Sequence, residues 1–166
     1  MNRLVYTLGT STRSLAEFVA LLKHLGVEAV LDVRRFPSSR FEHFKGEELA
    51  RSLPREDIKY YHLGDKLGGY GRGGYQAFLA SEEFQEGVGK VEEVARERKT
   101  AIVCAERLPW RCHRRFIGAE LERRGWRVIH VIDEKRSWLP RSKDNHASVS
   151  VSGEGSGKSQ MVLPGW

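Results

Sequence analysis

The sequence predicts one α/β domain: a parallel, or mostly parallel, sheet of about five strands with helices on both faces. Three observations predict it. Apolar runs of strand length alternate with stretches of helical periodicity along the chain. One of these runs, VEAVLDV at 27–33, is nearly apolar throughout, as strands buried on both faces are. The length of 166 residues suffices for one core of ordinary size and not for two comfortable ones.

The elements follow in order. RLVYTL (3–8) reads as a first strand and GTSTRS as the turn after it. Ser14 and Glu17 have the spacing of a capping box, and Leu15, Phe18, Val19, Leu22 and Leu25 share one helical face that Gly26 terminates. The second strand ends at Asp32, and Pro37 argues against a helix through the polar loop RRFPSSRFEHFKG. A short helix is expected over 46–53 and a third strand over 58–62. Six glycines fall within 64–75, too many for regular structure. A helix is expected over 76–98 with a break near Gly87 and Gly89, then a fourth strand, TAIVCA (100–105), a helix over 113–124 closed by Gly125, and a fifth strand, RVIHVI (127–132). The domain is expected to span 1–141, and 142–166 to form a flexible Ser/Gly-rich tail.

Composition excludes several classes. Apolar residues make up 40% and charged residues 30%, with no run of the ~18–20 apolar residues that a membrane span needs. The opening MNRLVYTLGT leads into a strand and does not read as a signal peptide, and two cysteines are too few for a disulfide scaffold; a cytoplasmic protein without membrane partners is expected. The net charge of +6 is concentrated: residues 107–141 carry ten basic and four acidic side chains, while the remainder is balanced. Such a patch is either the footprint of a polyanion or a solvated arginine-rich helix.

Two apparent phosphate loops fail on context. Gly69, Gly71 and Gly74 satisfy G-x-G-x-x-G but follow the third strand and open no amphipathic helix. GEGSGKS in the tail has Ser152 where a Walker loop needs its first glycine, and no helix follows.

Function in a parallel sheet is carried by loops at the strands' carboxyl ends. The first strand delivers Gly9, Thr10 and Ser11, whose N–H and hydroxyl groups suit an anion. The second delivers Asp32, Arg34 and Ser39, and the fourth delivers Cys104, Glu106 and then Cys112, His113 and Arg114. If these loops converge, one crevice holds two carboxylates, several arginines and two thiols. Asp32 and Glu106 are the candidate catalytic carboxylates, Asp32 with the plainer alternative of capping a nearby loop. Arg111, Arg114 and a helix N-terminus would lower a thiol pKa at Cys112, a candidate nucleophile unless it is simply a small buried side chain, as Cys104 also would be. A zinc site from Cys104, Cys112 and His113 lacks a C-x-x-C clasp, so no metal or other cofactor is expected.

Taken together, TLGTST, LDVRRFPSSR, YYHLGDKLGG, CAERLPWRCHRR and VIHVI resemble the domain-of-unknown-function family 488 over about residues 3–132, most specifically in DVR-x-x-P-x-S and CAE…CHR. The resemblance implies a Rossmann-like domain and a connection with excision of modified pyrimidines, such as 5-hydroxymethyluracil, from DNA. It directs attention to Gly9, Thr10, Ser11, Asp32, Arg34, Pro37, Ser39, Leu67, Gly68, Gly69, Cys104, Glu106, Cys112, His113 and Arg114.

N-glycosidic hydrolysis needs a carboxylate to stabilise an oxocarbenium-like centre or activate water, a role open to Asp32 or Glu106. A flipped base needs a pocket with polar edges and an aromatic wall, for which Tyr60, Tyr61, His62, Phe36 and Trp110 are candidates. Arg111, Arg115, Arg123, Arg124 and Arg127 would hold a DNA backbone. No lysine lies among the motif residues, so a Schiff-base lyase step is not expected. The first expectation is therefore a monofunctional DNA glycosylase acting on DNA. The alternatives are a cysteine-dependent enzyme acting on a small anion and a non-catalytic nucleic-acid-binding module.

Overall fold

The computed structural model describes residues 3–68, 74–140 and 159–161. Strands β1 (Leu4–Gly9), β2 (Ala29–Asp32), β3 (Lys59–His62), β4 (Thr100–Cys104) and β5 (Arg127–Asp133) run parallel. β6 (Arg136–Leu139) and β7 (Ser159–Met161) add antiparallel pairs, giving a seven-stranded sheet in the order β3-β2-β4-β1-β5-β6-β7. The helices are α1 (Leu15–His24), α2 (Gly46–Ser52), α3 (Gly64–Leu67), α4 (Gly74–Phe78), α5 (Glu82–Glu97) and α6 (Arg114–Arg123). The α/β class, the parallel core and helices on two faces match the expectation.

Side-chain alternation builds two cores. Tyr6, Leu8, Val30, Ala101, Val103, Ile129 and Val131 pack with Phe18 and Leu22 of α1 and Leu49 of α2. Val5, Leu31, Ile102 and Val128 point the other way, onto Phe84, Val88 and Val91 of α5 and Ile117 and Leu121 of α6. The helices after β1 and β4, which are adjacent strands, therefore pack on opposite faces. That is the switch point at which ligands bind in open α/β sheets.

Several boundaries differ from the sequence reading. The expected break at Gly87 and Gly89 is absent: α5 runs through both, and the chain breaks earlier, at Ser81, whose hydroxyl caps α5 by accepting from Phe84 N–H. Gly87 is instead a point of close approach, since a Cβ there would come 2.6 Å from Leu67. The β5–β6 hairpin went unseen because its turn, tied by the Asp133 carboxylate accepting from Lys135 N–H, lies among ordinary charged residues. Most of the expected tail and the loop glycines 69–73 lie outside the described residues; 159–161 pairs with β6. No helix among the described residues is long and apolar enough to cross a membrane.

Gly9 closes β1 against the loop after β4, and a Cβ there would collide with the Glu106 carbonyl. Gly9→Ala is expected to cost roughly 1–3 kcal/mol by overpacking, read as a fall in Tm by circular dichroism. Gly89→Ala, where an added Cβ meets nothing within 4 Å, should hold or raise Tm.

Candidate functional site

The carboxyl edge carries two buried arginine clusters, one on each face of the sheet. On the α1/α2 face Asp32 is fully buried at the end of β2. Its Oδ1 accepts from the Arg34 backbone N–H and Nε, and its Oδ2 accepts from Arg34 Nη2 at 2.6 Å and from the Tyr60 hydroxyl at 2.6 Å. Arg34 Nη1 reaches the Ser38 carbonyl. Burial, then the negative charge of Asp32, raise the Tyr60 phenol well above its ordinary range.

The other cluster centres on Arg114, which is 0% exposed in the first turn of α6. Its Nε donates to Thr7 Oγ1 of β1 at 3.0 Å, its Nη1 to Cys104 Sγ at 2.9 Å and to the Glu106 carbonyl at 2.5 Å, and its Nη2 to the Arg107 carbonyl at 3.2 Å. Cys104 and Cys112 are free thiols with their sulfurs 2.8 Å apart. Burial alone would raise the Cys104 thiol, but the hydrogen bond from Cys112 and the charge of Arg114 more than reverse that and hold it below the usual thiol range. The hydrogen bond to Cys104, then burial, push Cys112 up. Behind them Thr7 Oγ1 meets His130 Nδ1 at 2.7 Å, and burial followed by Arg114 pushes the imidazole down to about 3. Thr7 and His130 escaped the sequence reading; their signal was a polar residue inside each of two apolar strands.

The loops after β1 and β4 are stitched together. Thr10 and Ser11 donate their N–H groups to the carbonyls of Cys104 and Ala105, so these donors are not available to an anion as expected. The α1 N-terminus is likewise closed by its own Ser14/Glu17 capping box. Ser11 holds φ = 52°, a left-handed conformation of the kind that clusters at functional sites. It lines a cleft of about 550 Å³ with Thr12, Arg13, Glu17, Arg107, Asp133 and Glu134. Arg13, Arg107 and Asp133 were not singled out in the sequence.

The expectation of one shared crevice needs correcting. Asp32, in register with Val103, lies on the α1/α2 face and holds Arg34 there, whereas Cys104, the next residue of β4, lies on the α5/α6 face, where Cys112 and Arg114 at the start of α6 meet it. Glu106 belongs with the second group: one carboxylate oxygen accepts from Leu108 N–H at 2.9 Å, and the other has no hydrogen-bond partner among the described residues. Asp133, by contrast, is fully engaged by Lys135 N–H, Arg107 and Arg136.

Other expected residues fall in local roles. Ser39 Oγ accepts from Phe41 N–H within its loop. A Cβ at Gly68 would collide with the Gly64 carbonyl and Arg35. Tyr61 lines a cleft with Lys59, Asp57 and Arg98, apart from the β1 and β4 loops. His113 lies against the Tyr75 ring (4.8 Å between centroids), and its buried Nε2 has no hydrogen-bond partner among the described residues. Gly69 lies outside the described residues.

The basic segment does not form one patch. Arg111 and Arg115 are exposed at the carboxyl edge, whereas Arg123, Arg124 and Arg127 lie at the far end of α6 and the start of β5. There Arg123 pairs with Glu120, and Arg124 pairs with Glu120 and Glu92. Glu92 also accepts from Trp126 Nε1, so Arg124 joins α5 to α6.

The sequence profile of the family described as "Domain of unknown function DUF488" matches residues 14–121, more than half of the chain. No curated protein and no solved structure matches significantly.

The shifts at Cys104 and His130 act in one direction. Each group releases its proton more readily folded than unfolded, so their contribution to stability is full above the unfolded values, about 8.5 and 6.5, and is lost as pH falls. Denaturant midpoints should therefore fall from pH 8 to pH 5, and Cys104→Ser should remove the part of that fall lying above pH 6.5.

Proposed function

The chain belongs to the DUF488 family, and on that footing we propose that it is a nucleic-acid-directed hydrolase that releases a modified pyrimidine base from DNA by N-glycosidic cleavage. One observation carries this reading. Glu106, at the switch point, keeps a carboxylate oxygen that no described residue engages, while Asp32 and Asp133 have both oxygens bound. A carboxylate with an oxygen to spare is what activating water or stabilising an oxocarbenium-like centre requires. Glu106 therefore takes the chemistry, and Asp32 positions the β2 loop through Arg34.

The surroundings fit a DNA substrate. Arg35 and Arg40, on the loop after β2, and Arg111 and Arg115, after β4, are exposed at this edge. Phe36 is 65% exposed between the first two, a ring of the kind that stacks on bases. The cleft beside Ser11 and Arg107, with both signs of charge on its walls, offers polar edges to a neutral heterocycle.

Duplexes carrying 5-hydroxymethyluracil or other modified pyrimidines, scored for free base by mass spectrometry, test the activity. Glu106→Gln should lower release by roughly 10²–10⁴-fold with DNA binding retained. Asp32→Asn should act on stability first, since it breaks a buried ion pair. Near-normal turnover by Glu106→Gln, or no base released by the wild type from any duplex, would refute the proposal.

Binding should weaken steeply with salt. Alanine at Arg35, Arg40, Arg111 or Arg115 should flatten the logarithmic salt slope by about 0.9 for each phosphate that is no longer neutralised. Arg123→Ala and Arg127→Ala, at the opposite edge, should leave the slope unchanged.

A further inference from the structure

Arg114 poses a problem that its surroundings solve in an uncommon way. The guanidinium is fully buried, and its acceptors among the described residues are a hydroxyl, two backbone carbonyls and Cys104 Sγ, none of them a carboxylate. A buried cation needs a compensating negative charge, and the group touching it that can supply one is the Cys104 thiol. Cys112 lies with its sulfur 2.8 Å from that of Cys104, where it can donate its own proton to the thiolate. Its Sγ also accepts from Arg114 N–H at 3.4 Å, so the same sulfur caps the first turn of α6. An arginine-paired thiolate touching a second thiol is the arrangement of an attacking and a resolving cysteine; both sulfurs are buried (Cys104 2% and Cys112 7% exposed), so a molecule as small as peroxide reaches them by local opening of the loop after β4. Closing the pair to a bond length of about 2.05 Å needs a movement of less than an ångström.

We propose that Cys104 and Cys112 form a peroxide-oxidised dithiol, and that their conversion to a disulfide removes the counter-charge of Arg114 and loosens the loop that carries Glu106. The Cys104 thiolate attacks one oxygen of hydrogen peroxide. The O–O bond breaks, Cys104 becomes a sulfenic acid, and hydroxide leaves. Cys112 sulfur then attacks Cys104 sulfur, the S–O bond breaks, and the departing hydroxide takes the Cys112 proton to leave as water. The two sulfurs together lose two electrons, and the peroxide is reduced. Among the described residues Arg114 then has only neutral oxygen acceptors, and two of these are the backbone carbonyls of Glu106 and Arg107. The effect on base release rests on the assignment of Glu106 made above; the oxidation itself does not.

The test treats the reduced full chain with hydrogen peroxide under native conditions. Free thiols should fall from two per chain to none and return with dithiothreitol, and peptide mapping should join Cys104 to Cys112. In Cys112→Ser, dimedone should trap a sulfenic acid at Cys104; in Cys104→Ser, Cys112 should react at least tenfold more slowly than Cys104 does in the wild type. Hydrogen exchange across residues 104–116 should rise on oxidation and fall on reduction. Two unreacted thiols, oxidation of Cys112 in preference to Cys104, or exchange that stays constant when the disulfide forms would overturn the proposal. A disulfide with raised exchange but unaltered base release would uphold the oxidation and count against Glu106 as the reacting carboxylate.

Discussion

The burial of the Arg114 guanidinium is the constraint on which the carboxyl edge depends. One side chain from the first turn of α6 holds the middle of β1 through Thr7, the end of β4 through Cys104, and the loop after β4 through the carbonyls of Glu106 and Arg107. Its charge also helps to keep His130 neutral, so that the imidazole can meet Thr7 without a second buried cation. The loops after β1 and β4 thereby become one rigid piece, with the Gly9–Glu106 approach as its tightest point.

The two faces of the sheet meet the same demand with different chemistry. On the α1/α2 face the buried Arg34 is matched by the carboxylate of Asp32, and Tyr60 completes the shell. On the α5/α6 face the buried arginine is matched by sulfur, whose ionisation and oxidation state both respond to the surroundings. The first arrangement is permanent and the second is conditional. This difference in the counter-group, carboxylate on one face and thiol on the other, distinguishes the two buried arginines.

Periodicity carried the five parallel strands, the capping box of α1 and the division of helices between faces, because each leaves a repeating trace in adjacent residues. The short β6 leaves no such trace, being four residues in a charged context. The break at Ser81 was hidden because two glycines offered a stronger local signal than a serine whose hydroxyl caps α5. At the site, residue types pointed to the carboxyl edge of the sheet and to Cys104, Glu106, Cys112 and Arg114. They did not separate Asp32 from this group, since that depends on which face a strand residue takes when its loop turns. They also placed Arg124 among the arginines expected on a DNA backbone and left the burial of Arg114 unseen. A basic side chain reads as exposed until the acceptors that hold it, a hydroxyl, a thiol and two carbonyls for the buried Arg114 and two glutamates and Gln85 for the half-buried Arg124, are seen in space.

The antiparallel addition of β6 and β7 beyond β5 means that the sheet continues on one side, whereas β3 ends the strand order on the other. An edge strand offers backbone groups to any neighbouring chain. β3 presents only four residues, with Lys59, Tyr61 and His62 exposed along them. Short length and a charged residue are the means by which natural sheets discourage edge-to-edge association. The hydrophobic strands β2, β4 and β1 lie shielded in the middle of the order, so at the β3 end a neighbouring chain meets a short, charged strand and none of these.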